Sequence, residues 1–151
     1  MGCCHIHPIA MPRSNRSLVK TDFEALSEFR YQMRRFERFS EDAARAEGIT
    51  PLQYLLLLHL KGFPGRPWAT VGDLAHRLQI MPHSAVALIT RCEAIDLVER
   101  RPSTADRRQV EVHLRKNGEQ LLRRVATLHR AELKSLEGSF RVPQIDATAV
   151  R

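Results

Sequence analysis

At 151 residues the chain is long enough for one domain with its own core, so neither disulfides nor a structural metal is needed to hold it together. Only three cysteines occur, two of them adjacent at Cys3 and Cys4, which excludes a disulfide framework and suits a reducing cytosol. The formal net charge of +7 implies a polyanionic partner without saying which one.

Residues 1–20 read as a flexible arm, with Pro8, Pro12, scattered basic residues and no apolar period. No signal peptide is expected there, and Ile6 stands where a myristoylation motif wants Ser or Thr. The cluster Cys3-Cys4-His5-Ile6-His7 carries metal-ligating and redox-active side chains. A mobile terminus explains it as simply, because structural zinc sites usually draw on two separated pairs. No metal is expected.

Thr21-Asp22-Phe23-Glu24 has the form of a capping box, opening a long helix that ends at Gly48. Phe23, Leu26, Phe29, Met33, Phe36 and Phe39 recur every three or four residues along it and form one apolar stripe. So many phenylalanines exceed what a small domain needs to cover itself, which implies a partner helix, in this chain or in a second copy. Thr50-Pro51-Leu52-Gln53 starts a second helix with a cap, a proline at its first position and Gln at the box position. That helix is apolar nearly all round and predicts the buried centre, with His59 as its one interruption. Gly62 ends it, and residues 63–68, FPGRPW, form a loop with two prolines.

Thr70-Val71-Gly72-Asp73 caps a third helix, residues 79–81 form a turn, and Pro82 begins a fourth helix reaching about residue 95. The fourth helix has two unlike faces. Ala85, Leu88, Ile89, Cys92 and Ile95 fall together as an inner face, where Cys92 is a small hydrophobe. His83, Ser84, Ala87, Thr90, Arg91 and Ala94 fall opposite and are small or polar. Small side chains on an outer face let a helix backbone approach a groove closely. Asp96 can leave the helix in the left-handed conformation.

Residues 97–101 then predict a strand, and Val110, Val112 and Leu114 alternate with polar neighbours as a second. Between them Arg107 and Arg108 lie near the tip of a basic loop. Alone it could be an ordinary solvated hairpin; directly after a two-faced helix it suits a wing. The last helix, about residues 116–137, has the stripe Leu121, Leu122, Val125, Leu128, Leu133, Leu136 and Phe140. The fold expected is mainly α with a small β-hairpin wing: a winged helix-turn-helix whose expected ligand is duplex DNA.

From about residue 21 to residue 140 the chain resembles the MarR family of bacterial winged-helix transcription regulators. The turn and recognition helix, residues 78–101, end in Asp96-Leu97-Val98-Glu99-Arg100-Arg101, and the wing pattern Asp-x-Arg-x-x-x-Val-x-Leu is met by Asp106, Arg108, Val112 and Leu114. Gly118 and Leu121 also stand where that family has them. The resemblance implies a lobe at residues 50–115, dimerisation helices at 21–47 and 116–140, and a short tail at 141–151. It implies a homodimer held through Phe23, Leu26, Phe29, Met33, Leu128, Leu133, Leu136 and Phe140. It further implies a fourth helix in the major groove and Arg108 in the minor groove, with Asp106 orienting that guanidinium through a charge-assisted pair.

Three features depart from the family pattern. Met81 replaces the usual Ser cap of the recognition helix, Arg115 replaces a Thr after the wing, and the sixth helix that usually completes the dimer is not expected in these residues. The arm, or a more intimate packing of the long helices, is expected to take over that burial.

The expected function is that of a dimeric, sequence-specific DNA-binding regulator, a ligand-responsive repressor on a pseudo-palindromic operator, cytoplasmic and nucleoid-associated. No catalytic constellation stands out and no enzyme activity is expected. His83, Ser84, Ala87, Thr90 and Arg91 would face base edges or flanking phosphates, while Arg100, Arg101, Arg107, Arg108 and Arg115 supply phosphate and minor-groove contacts. The resemblance also implies a small aromatic or phenolic effector, with Phe36, His59, Phe63 and Trp68 as lining candidates that core packing explains equally well. No cofactor and no membrane partner are expected. The rivals are a winged helix used only for protein interaction and a thiol- or metal-responsive regulator using the N-terminal Cys/His cluster.

Overall fold

A computed structural model of the chain describes residues 17–138 and 140–145. Five helices and three short strands follow in the order α1 (Lys20–Ala46), α2 (Pro51–Lys61), β1 (Trp68–Thr70), α3 (Val71–Leu78), α4 (Pro82–Ala94), β2 (Val98–Pro102), β3 (Val110–Leu114) and α5 (Lys116–Ser135). The expected arm, with Cys3 and Cys4, lies largely outside the described residues, as does the end of the tail.

Local chemistry sets most of the boundaries. Thr50 accepts a hydrogen bond from the Gln53 amide at 3.2 Å while Gln53 Oε1 accepts from the Thr50 amide at 2.8 Å, the reciprocal box expected of α2. Thr70 and Asp73 do the same for α3 at 3.1 and 2.8 Å. The box expected at Thr21 does not form. Here α1 begins one residue before Thr21, at Lys20, because the Asp22 carboxylate accepts from the Val19 amide at 2.9 Å; Glu24 pairs with Lys20 instead. An acid in the first turn also complements the helix dipole.

The core lies where α2, α4, α5 and the sheet meet. Leu56, Leu57, Leu60, Leu74, Leu88, Ile89, Cys92, Val98, Val112, Leu121, Leu122 and Val125 are buried there. Each large aliphatic side chain of the set contributes roughly 1.5–3 kcal/mol by leaving water. Burial pushes the Cys92 thiol up to about 11, as suits a core hydrophobe. The helix α2 is not sealed all round, since Leu52 and Leu58 remain exposed. Gly118 lets the start of α5 lie against the chain at Leu97, just before β2, because an added Cβ would sit 2.1 Å from the Leu97 carbonyl oxygen.

The wing is one strand larger than the hairpin expected. The strand order is β1-β3-β2, all antiparallel, with Ala69 opposite Val112 and Arg100 opposite Val112 on its other side. The end of the FPGRPW segment thus becomes an edge strand. The strand β2 starts at Val98 and runs through Pro102, one residue later at each end than its pattern suggested.

Candidate nucleic-acid interface

Two left-handed residues bracket the recognition helix. Gln79, at φ 54°, turns the chain out of α3, where Ile80 donates to the Ala75 carbonyl at 3.0 Å. Asp96, at φ 60°, turns it out of α4, and Leu97 donates to the Cys92 carbonyl at 3.0 Å. Between them Met81 occupies the N-cap without a side-chain hydrogen bond and Pro82 takes the first helical position.

The helix then presents the two faces that its sequence implies. Ala85, Leu88, Ile89 and Cys92 are buried, whereas His83, Ala87, Thr90, Arg91 and Ala94 are exposed and Ser84 is half-buried. Ile95 departs from its expected place. It follows the last helical residue, where the backbone is already turning, and its side chain is 51% exposed.

Glu93 joins this helix to the wing. Its carboxylate accepts from the Arg100 amide at 2.9 Å and from Arg100 Nη1 at 2.5 Å. The other terminal nitrogen of Arg100 donates to Thr90 Oγ1 at 2.8 Å and to the Val86 carbonyl at 3.2 Å. Thr90 in turn donates to the same Val86 carbonyl at 2.9 Å. Hydrogen bonds from Arg100 hold the Glu93 carboxyl below the usual carboxylate range against the opposing effect of burial. Arg100 and Thr90, both expected to meet DNA, are therefore committed to a clamp between α4 and β2. The reason is spatial: the exit turn at Asp96 brings β2 back along α4, so residues seven apart in sequence meet.

The wing loop is shaped by backbone contacts. Ser103, buried at its base, accepts from the amides of Ala105 and Asp106 through its hydroxyl, and Gln109 donates to the Asp106 carbonyl at 2.9 Å. Asp106 Oδ1 accepts from the backbone amide of Arg108 at 2.9 Å. The acid thus fixes the turn that carries Arg108, rather than pairing with its guanidinium as the resemblance implied. An Asx-type bond across two residues is the geometry a short aspartate favours. Arg107 and Arg108 are exposed, and no ion pair to either is found among the described residues. Arg101 is tied to Glu99, with Nε–Oε1 at 2.7 Å, and Arg115 to Asp96 at 2.7 Å. Among the described residues, the free guanidinium groups of this face are consequently those of Arg91, Arg107 and Arg108.

The four residues expected to line an effector site fall in two places, with Phe36 apart from the others. Phe36 faces His129 and a crevice of about 570 Å³ that Met33, Leu52, Leu55 and Phe140 also line. Phe63 and Trp68 instead flank the Arg66 guanidinium, whose carbon lies 4.8 and 3.9 Å from their ring centroids. His59 is half-buried, and burial together with Arg77 lowers its proton affinity. Two residues of the interface give no signal in the sequence. Val86 is exposed on α4, where an apolar residue has no polar character to mark it. Glu93 is silent because no helical or strand period links it to Arg100.

Residues 47–109 match the model of the MarR family. Over 92 residues the chain is 33% identical to the uncharacterized HTH-type transcriptional regulator YsmB of Bacillus subtilis, and it spans about three fifths of that relative's length, 61% of each chain. Among solved structures it is similar to AbsC, a MarR family transcriptional regulator from Streptomyces coelicolor. That match has 26% identity and a TM-score of 0.70, over 85% of this chain and 86% of that one. A mutant of MepR from S. aureus, bound to an oligodeoxyribonucleotide, shares the fold, at 20% identity and a TM-score of 0.61 over 76% of this chain and 81% of that one. The sequence match to the MarR family thus covers the helix-turn-helix and wing, residues 47–109, and the likeness of fold to MarR family structures extends through α1 and α5.

Proposed function

We propose that the protein is a DNA-binding transcription regulator that acts as a homodimer on a pseudo-palindromic operator. One observation carries this reading: an exposed helix face of small side chains is tied through Glu93 and Arg100 to a hairpin whose loop arginines, Arg107 and Arg108, have no ion-pair partner among the described residues. A recognition helix needs close approach to base edges, and an unpaired guanidinium suits phosphate or a narrow minor groove. The DNA-bound MepR relative is consistent with this use of the fold.

The apolar surface left on the long helices supports the dimer. Phe23 is 55% and Leu133 56% exposed, and Leu26, Leu128 and Phe140 lie open with them. Phe29, half-buried, packs on Phe140 at 5.5 Å between centroids. Leu136 differs from its expected role, being buried within the chain itself. Two recognition helices held by such an interface would meet half-sites about one turn, roughly 34 Å, apart. The test is binding of duplexes selected from a random pool, followed by salt titration. A steep loss of affinity with salt supports the reading, and no preference over random duplex sinks it.

The crevice at Phe36 suits a small aromatic or phenolic effector. Glu37 and Glu41, which also line it, already face Arg34, so its remaining wall is largely apolar. A panel of phenolic acids that shifts neither thermal stability nor DNA affinity would remove this assignment.

A further inference from the structure

The clamp that engages the Thr90 hydroxyl and the Arg100 guanidinium changes what α4 can read. Its outer face keeps His83 and Arg91 as the long polar side chains, beside Ala87, Ala94, Val86, the half-buried Ser84 and a Thr90 whose hydroxyl is already engaged. Thr90 cannot offer its hydroxyl freely, because that group donates to the Val86 carbonyl and accepts from Arg100. Val86 is 44% exposed, an apolar β-branched side chain on the helix that Arg100 ties to the wing. Its position along the helix is on the wing side, since Arg100 of β2 reaches its carbonyl at 3.2 Å.

On the floor of the major groove the thymine C5-methyl is the one apolar group that distinguishes a base pair. A valine on a helix has a single strongly preferred χ1, so its two methyls are already aimed before binding. Ala87 beside it adds no bulk that would hold the helix away from the groove. We infer that Val86 is a specificity-determining residue that reads thymine methyl groups, so that operator preference rests on apolar contact more than on hydrogen bonds to base edges. This rests on the DNA-binding reading above. The three free arginines of the surface favour a duplex over a protein as the occupant.

The experiment uses the full chain and a high-affinity duplex selected from a random pool. Each thymine of a half-site is replaced in turn by 2′-deoxyuridine, which removes the methyl and leaves pairing intact. Wild-type affinity should fall about fourfold at one or two positions per half-site, the factor that burial of one methyl supplies. Val86→Ala should bind the thymine and deoxyuridine duplexes equally at those positions, whereas Arg91→Ala should weaken both by the same factor and keep the methyl effect. Circular dichroism and thermal melting of each variant establish that it is folded. Selective binding insensitive to every thymine replacement would overturn the inference and leave the DNA-binding reading standing. A methyl effect retained in Val86→Ala would transfer the role to another residue and overturn it equally. Failure to select any duplex would overturn both readings together.

Discussion

Gly118 and Glu93 each hold a junction that the interface depends on. At Gly118 a Cβ would overlap the Leu97 carbonyl oxygen, which the Arg115 amide already meets at 3.0 Å. The contact is backbone, so it cannot swing aside. Gly118→Ala should cost about 3 kcal/mol in denaturant titration, the upper part of the overpacking range. An unchanged midpoint would mean that α5 shifts freely. Glu93 holds a different junction. Its carboxyl is depressed mainly by the Arg100 amide, so its contribution is full above the ordinary glutamate range and is lost as pH falls through the lowered value. Glu93→Gln should therefore lower stability at pH 7 by roughly 1 kcal/mol, discounted because the pair is about one third exposed, and leave little difference from wild type at strongly acidic pH.

At the scale of elements, the work in the proposed function is divided between the wing, for shape, and α4, for contact. Arg108 stands on a turn set by Asp106 and Ser103, with its guanidinium free of protein ion pairs among the described residues. A narrow minor groove concentrates negative potential, so Arg108→Ala should lose more affinity on duplexes with AT-rich flanks than on GC-rich ones in fluorescence anisotropy. Equal losses would make it a plain phosphate contact. Asp106→Ala should weaken binding through the turn, because its bond is to the backbone; Asp106→Asn, which keeps an acceptor oxygen, should recover most of it. The element pattern is legible in the sequence where it rests on near neighbours. The caps at Thr50 and Thr70, the proline opening α4 and the left-handed Asp96 all obey local rules. The strand β1 is not legible, since three residues show no period and their pairing partner lies more than forty positions away.

For the whole molecule, two properties follow from how the helices are arranged. The open apolar stripe on α1 and α5 should make a stable dimer at micromolar concentration in light scattering. Leu133→Glu, which places a charge on an exposed position of that stripe, should shift the population to monomer without unfolding it. A wild-type monomer would contradict the proposed assembly. The second property is pH dependence. Burial, and secondarily Arg77, lower the proton affinity of His59, so the unfolded chain binds that proton more readily than the folded one. Stability should then decline as pH falls through the ordinary histidine range and below it, and His59→Gln should flatten that part of the curve. No helix among the described residues is long and apolar enough to cross a membrane.

Most of the helices and their caps, the buried stripe of α4 and the place of the wing arginines are written in the chain alone. Those features depend on spacing within one turn or one strand, and apolar periodicity encodes them directly. Which of the candidate groups remain available is settled only by the folded arrangement. Folding ties Arg100 to Glu93 and Thr90, and Thr90 to the Val86 carbonyl, separates Phe36 from Phe63 and Trp68, and leaves Val86 on the exposed face of α4. A polar side chain's role depends on which partner reaches it first, and that is a matter of three-dimensional distance that composition and period do not carry.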